Sequence, residues 1–415
     1  MTALQPADTL RNRWELAHYW GMLGYAIASG FSITLSQTAL VVSLIGLIGM
    51  RGHENADKVK APFLPAYYAF TLAGILSLFN AVDLGRGIIE MKKFLMILVM
   101  LIPLWSPLSI IKKRNVLGTC VVIGALSGLS AILSTIYFML IKKGDFRGEG
   151  FFSLPLTMGE TQLLFLILSL AWLEAEESNP RIRWGVFFAG ILQFFGMVFA
   201  YTRGAFIGFL AGVIILFRQN IIKILGILGI SLLIIAASGD YFRPGQQTLV
   251  FSESVAEGSF KGNLRWGIWK NGIELLTKCP IFGVGMNNIK PLYKKLLEEK
   301  PEYPDREIYG HLHNNYLQYL VMTGIVGFFT FCWFLWEVLR FGISIERSAT
   351  PGSWEQKMAR AIPALWIAFL GTGLTEYSYG DEEVAMLAFF LVGLIASIVL
   401  QKKPAVDLPI PEIVK

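Results

Sequence analysis

The chain has 415 residues, 54% of them hydrophobic and 16% charged, with a mean hydropathy of +0.55; one or two soluble cores cannot bury that much apolar surface, which excludes a soluble fold. The formal charge of +6 is divided among loops on two sides of a bilayer, so it argues against a nucleic-acid partner rather than for one. Of the three cysteines, Cys120 and Cys332 lie in apolar runs and Cys279 in a polar segment, which suggests no disulfide framework.

Met1 to Arg13 is polar and runs into a long apolar region without a small-residue cleavage site, so the first helix is expected to stay in the membrane. A span needs about 20 apolar residues. Runs near that length predict an all-α, polytopic membrane protein of about 12 transmembrane helices, at 16–33, 35–50, 62–81, 94–111, 116–141, 157–174, 184–201, 204–217, 221–238, 315–338, 361–377 and 384–400. As one helix, Trp184 to Phe217 would measure about 51 Å against a hydrocarbon core of about 30 Å. The expected break is Thr202-Arg203-Gly204. By the same reasoning, Trp14 to Met50 folds back between Gly30 and Gln37.

Orientation follows from Lys and Arg in short loops. With an inside N-terminus, the cytoplasmic segments carry most of them, including Arg11, Arg13, Arg51, Lys112, Lys113, Arg114, Arg181, Arg183, Arg218, Arg340, Arg347, Lys402 and Lys403. The short outer loops carry Arg86, Lys92, Lys93, Lys142, Lys143, Arg147 and Arg203. Both termini are therefore expected inside. The division is 1–238 for the first nine helices, 239–312 for one large outer loop, 313–400 for the last three helices, and 401–415 for a Pro-rich cytoplasmic tail.

Within the outer loop, Trp266, Trp269, Ile273 and Leu276 recur at helical spacing, and Lys290 to Lys300 reads as a second amphipathic helix, the kind that lies on a membrane surface. Pro280 and Gly283-Val284-Gly285 mark a turn between them.

Charges beside the hydrocarbon are costly, by about 2.5–3.5 kcal/mol at a helix centre. Arg203 is the clearest case, and two readings stand: a snorkelling residue at a helical hairpin, or a planar fork for a phosphate or carboxylate. Arg147 and Arg265 pose the same choice. His311 and His313 are two of only four histidines and sit where the outer loop meets the next membrane helix. No cluster of further ligands surrounds them, so a metal site is the weaker reading. A helix-start hydrogen bond and a general base at neutral pH are the others.

The run HNNYLQYLVMTGIVG, which is His313-Asn314, nine residues, Gly324, two residues and Gly327, resembles a signature of bacterial O-antigen ligases. Three other segments agree: Arg147-Gly148 with Phe151, Phe152 and Pro155; Thr202-Arg203-Gly204; and Arg265 through Trp269 to Pro280, Gly283 and Gly285. The resemblance runs from Arg147 to Gly327 and extends to a superfamily that includes O-antigen polymerases and O-oligosaccharyltransferases.

The resemblance implies a GT-C-like membrane glycosyltransferase of the bacterial inner membrane, with its large loop and active site periplasmic. Such ligases transfer polysaccharide from undecaprenyl diphosphate to a sugar hydroxyl of lipid A-core, in lipopolysaccharide biosynthesis, without a metal or other cofactor. A metal-free enzyme must meet the leaving diphosphate with fixed cations, for which Arg203 and Arg265 are the choices and Arg147 a third. His313 is the general base, and direct attack inverts the anomeric carbon. His311, Asn314 and Glu376 are candidates for substrate contact, Glu376 also for orienting an arginine or the histidine. Gly324 and Gly327 are expected to permit close helix packing. The rival from another class is a transporter or flippase, which would carry charges at the bilayer midplane in two related halves; here they gather at one face.

Overall fold

The computed structural model describes residues 6–51, 59–142, 147–176, 178–242, 264–299 and 310–401, and among these the regular elements are all helical. The predicted tail after Gln401 and the loop stretches 243–263 and 300–309 lie outside the described residues. The chain is a helical multi-pass membrane protein, but the expected twelve spans are not all of one kind. Six helices are long and apolar enough to cross a membrane: Ile33–Met50, Ile110–Ile141, Pro155–Ala175, Pro180–Ala200, Asn315–Ser348 and Glu382–Gln401. Three of the other expected spans, Leu64–Asn80, Arg203–Leu216 and Ile221–Ile234, are shorter apolar helices.

Of the remaining three, the expected span 361–377 is occupied by the shorter helix Ala361–Thr372, and the other two differ for local reasons. Helix α1 (Pro6–Ala28) carries Arg11, Arg13 and Glu15 in its first half, and α2 (Ile33–Arg51) returns along it after the turn at Ser29–Ser32, as expected. Helix α3 is Leu64–Ser77 and α4 Leu84–Glu90. Where one span was expected at 94–111, a turn of 3-10 helix leads into α5 (Met96–Leu104), and the chain bends before Ser109 caps α6 (Ile110–Tyr137). Pro107 forces the bend, because a residue before proline is driven out of helical geometry. Lys112, Lys113 and Arg114 consequently lie in the first turns of α6 rather than in a loop.

Helices α7 (Pro155–Ala175), α8 (Pro180–Ala200), α9 (Arg203–Leu216) and α10 (Ile221–Phe242) follow. The predicted break is present: Tyr201 takes a left-handed conformation, φ 49°, and α9 starts at Arg203. Helices α11 (Leu264–Lys278) and α12 (Ile289–Glu299) are the two amphipathic helices, followed by α13 (Asn315–Ser348), α14 (Trp354–Ala359), α15 (Ala361–Thr372) and α16 (Glu382–Gln401). Helix α11 buries Ile268, Asn271 and Leu275 and leaves Trp266 and Ile273 exposed. Its open apolar face suits a lipid surface.

Helices α7 and α16 form the centre, 83% and 89% buried over their most apolar windows, whereas the corresponding value for α2 is 33%. Exposed Leu, Ile and Phe on α2, α8 and α10 match a lipid solvent. Helix α9 packs on α15 through Gly204, Gly208 and Gly212; a Cβ at Gly208 would lie 2.5 Å from the Ala368 carbonyl oxygen. Small residues permit such backbone approach in membranes.

Helix α13 breaks at Gly324, φ 68° and ψ −170°. The Pro280–Gly285 turn fills the break: Ile325 N–H donates to Pro280 O (2.9 Å), Val284 N–H to Val321 O (3.0 Å) and Gly285 N–H to Met322 O (3.0 Å). A Cβ at Gly324 would sit 2.2 Å from Ile281 O, and one at Gly283 2.4 Å from Gly324 N. These glycines therefore serve loop-on-helix contact, not the helix packing that the sequence suggested for Gly324.

Candidate functional site

Glu376 lies in the turn between α15 and α16 and is only 4% exposed. Its two oxygens take different partners: Oε1 accepts from the Arg265 guanidinium, and Oε2 meets His313 Nδ1 at 3.0 Å. A buried carboxylate is favourable only when paired and hydrogen-bonded. A carboxylate can only accept, so this contact assigns the proton to Nδ1 and leaves Nε2 of a neutral ring as an acceptor. Arg265 is in the first turn of α11, so one carboxylate ties the outer segment to the α15–α16 turn and to the start of α13.

His313 is held by its neighbours on both sides. Leu312 O accepts from Trp269 Nε1 (2.8 Å), and Leu312 N–H donates to Gln318 Oε1 (2.8 Å). Asn314 caps α13, accepting from Leu317 N–H (2.8 Å), while its amide donates to Leu374 O (2.7 Å). Asn315 N–H donates to Gly373 O (2.8 Å). His313 itself has φ 47°, a conformation that costs a non-glycine residue about 1–3 kcal/mol and persists only where the surroundings over-determine it.

Arg203 stands beside this triad. The next residue, Gly204, lies against the site turn: its Cβ, if present, would be 3.3 Å from Glu376 Cγ. Arg203 is exposed, and among the described residues it has no hydrogen bond or ion pair. Arg265 and Arg203 thus offer one cation pinned by a carboxylate and one unneutralised.

Arg147 is placed differently. Its Nε donates to Ala200 O (3.0 Å) and a terminal nitrogen to Tyr201 O (3.0 Å), with Thr202 Oγ1 at 3.4 Å. The guanidinium caps the carboxyl end of α8, where a cation is favoured, and so fixes the corner from which Arg203 projects.

His311 lies 4.3 Å from His313 between ring centroids and 5.8 Å from Tyr377. Burial, helped by His313, pulls it down from the ordinary 6.5 to about 4, so it is neutral at pH 7 and its buried Nδ1 has no partner. Two residues of this wall escaped the sequence reading. The mostly buried Lys93 ammonium pairs with Glu90 at 2.5 Å and stands 5.1 Å from the centroid of the Tyr377 ring. Burial pulls this ammonium down, but Tyr377 and Glu90 outweigh it and hold it above the usual lysine range. The signal available was the position of Tyr377 next to Glu376. Among the described residues no group of three or more His, Cys, Asp or Glu is placed to hold a metal ion.

The arrangement can take a proton from a hydroxyl at His313 Nε2 while two guanidiniums face an anionic leaving group. A search of curated proteins found no match. The family model described as O-antigen ligase matches residues 188–332, a stretch holding Arg203, Arg265, His313 and Gly324. Members of that family are glycosyltransferase-like enzymes acting on lipid-linked glycans. Over that stretch, the chain is similar to the O-antigen ligase family.

Proposed function

We propose that this protein is an O-antigen ligase, transferring a polysaccharide from undecaprenyl diphosphate to a sugar hydroxyl of lipid A-core at the periplasmic face of the inner membrane. The observation that carries the reading is the shared carboxylate: Glu376 joins Arg265 and His313, with Arg203, which has no ion pair among the described residues, on the adjoining helix end.

In this mechanism the acceptor hydroxyl oxygen attacks the anomeric carbon of the donor. The bond from that carbon to the diphosphate oxygen breaks, the hydroxyl proton passes to His313 Nε2, and the electron pair leaves on the diphosphate. Arg203 and Arg265 meet the developing charge. Glu376 keeps His313 in the reactive tautomer and stabilises the imidazolium, the role of an orienting carboxylate. Arg147 positions Arg203 by holding the α8–α9 corner, and His311, Asn314 and Lys93 shape the acceptor side. Direct displacement inverts the anomeric configuration, with no metal or cofactor.

The test is transfer by the purified chain in lipid, from carrier-linked glycan to core lipid. The expected result is inverted linkage and loss of transfer in His313→Ala with carrier binding kept. Transfer of single repeat units onto a second carrier-linked glycan, with core lipid left untouched, would move the assignment to a polymerase. Movement of the glycan across vesicles without transfer would sink the enzyme reading.

A further inference from the structure

At the end of the bundle away from His313, a cavity of about 950 Å³ opens between α6, α7 and α8. Its mouth is polar, with Arg114, Asn115, Ser178 and Asn179, and its buried lining is apolar, with Val121, Val186 and Ala189. Three features select its occupant. The first is charge: Arg114, whose guanidinium lies 4.1 Å over the Trp354 ring, reaches its acidic neighbour Glu176 only at 3.6 Å, and exposed Arg181 and Arg183 in the first turn of α8 have no ion pair among the described residues.

The second feature is an orphaned donor. Trp172 lines the cavity, is 7% exposed, and its indole N–H has no acceptor. A buried donor of this kind calls for an acceptor that the protein does not supply. The third is space: a Cβ at Gly185, in the cavity wall, would meet nothing within 4 Å. The Asn179-capped start of α8 also opens at this mouth, with the partial positive charge of a helix N-terminus.

We propose that this cavity is a binding site for an anionic diacyl phospholipid. The phosphate sits at Arg114 and the start of α8, an ester carbonyl one layer deeper accepts from Trp172 Nε1, and acyl chains run along the valines and Ala189. Basic pockets between membrane helices bind such head groups. Among the described residues lining the mouth, the acidic one is Glu176, which is engaged by Arg114 and by Ser178 Oγ at 2.8 Å.

The test uses the full chain in detergent, with phosphatidylglycerol and phosphatidylethanolamine of matched chains followed by native mass spectrometry and thermal shift. Phosphatidylglycerol is expected to bind at least about tenfold more tightly. Gly185→Leu, which fills open space and leaves the fold intact by circular dichroism, is expected to abolish binding of both lipids. Trp172→Phe is expected to weaken both several-fold, and Arg114→Ala to remove the preference between them. Equal binding of the two lipids by the wild type, or wild-type binding by Gly185→Leu, overturns the proposal.

Discussion

Glu376 holds Arg265 and His313 at once, and that makes conservative changes at this residue informative. Glu376→Gln keeps the shape but removes the charge that fixes the His313 tautomer, so transfer is expected to fall on the order of 10²–10⁴-fold, as for loss of a general base. The His313→Ala variant should show a loss of the same order, and the double variant little more, because the two act as one unit. Rates under saturating donor and acceptor check this; losses that multiply would separate the residues. Of these partners, the histidine and arginines stand out in the sequence chiefly through the resemblance to O-antigen ligases, their place beside apolar runs alone allowing a structural reading as well. The sequence left the pairing open, because residues 63 positions apart meet only when α13 and the α15–α16 turn are packed. Lys93 stayed invisible for the same reason, reading as one more loop charge until Glu90 and Tyr377 closed around it.

His311 gives a second residue-scale expectation, in pH. Its folded value of about 4 lies below the ordinary 6.5, so the unfolded chain binds this proton more readily. The sign follows: its contribution to stability is full above pH 6.5 and is lost progressively as pH falls to about 4. Thermal unfolding in detergent should therefore show a wild-type decline across that window that is shallower in His311→Gln. An unchanged slope in the variant would mean that the ring is protonated in the folded state.

At the scale of elements, the join between the Pro280–Gly285 turn and the break in α13 carries the geometry of the site, because it fixes where α11 delivers Arg265. Gly324→Ala places a Cβ 2.2 Å from Ile281 O at φ 68°, combining a clash with a strained backbone, and is expected to destabilise by about 2–4 kcal/mol. Gly226→Ala in α10, where the new Cβ meets nothing within 4 Å, is the control and should be neutral or slightly stabilising. Unfolding midpoints for the pair test this directly. Hydropathy located the long apolar helices of the bundle and both hairpin breaks, but not the short helices α4 and α14. It could not tell a full span from a half-length apolar helix such as α5, because Pro107 and the 3-10 turn before α5 reshape an unbroken apolar run. It also missed the purpose of Gly324, since a backbone-to-backbone contact leaves the same glycine in the sequence as helix packing does.

At the scale of the whole molecule, charge is separated end to end. Helices α9 and α13 both begin at the site, with Arg203 and Asn315, and both finish at the other end, where Glu346, only 3% exposed, accepts from Arg218 at 2.6 and 2.7 Å and from Arg360 at 3.1 Å. Removing one member of a buried pair leaves the others uncompensated, so Glu346→Ala is expected to cost about 3 kcal/mol in unfolding experiments. It should not alter His313 chemistry in the folded fraction.

The same axis makes orientation testable. Lys112, Lys113, Arg114, Arg181, Arg183 and Arg218 gather at the Glu346 end, and such residues in short loops are retained in the cytoplasm. Cysteines introduced one at a time at exposed Phe151, on the site end, and exposed Trp184, on the other, in a chain whose three native cysteines are serine, should then label oppositely. An impermeant maleimide added to cells with a permeable outer membrane is expected to reach Phe151→Cys, and Trp184→Cys only after the inner membrane is opened. The reverse pattern would place His313 in the cytoplasm, out of reach of carrier-linked glycan in the outer leaflet. It would remove the ligase reading while leaving the fold untouched.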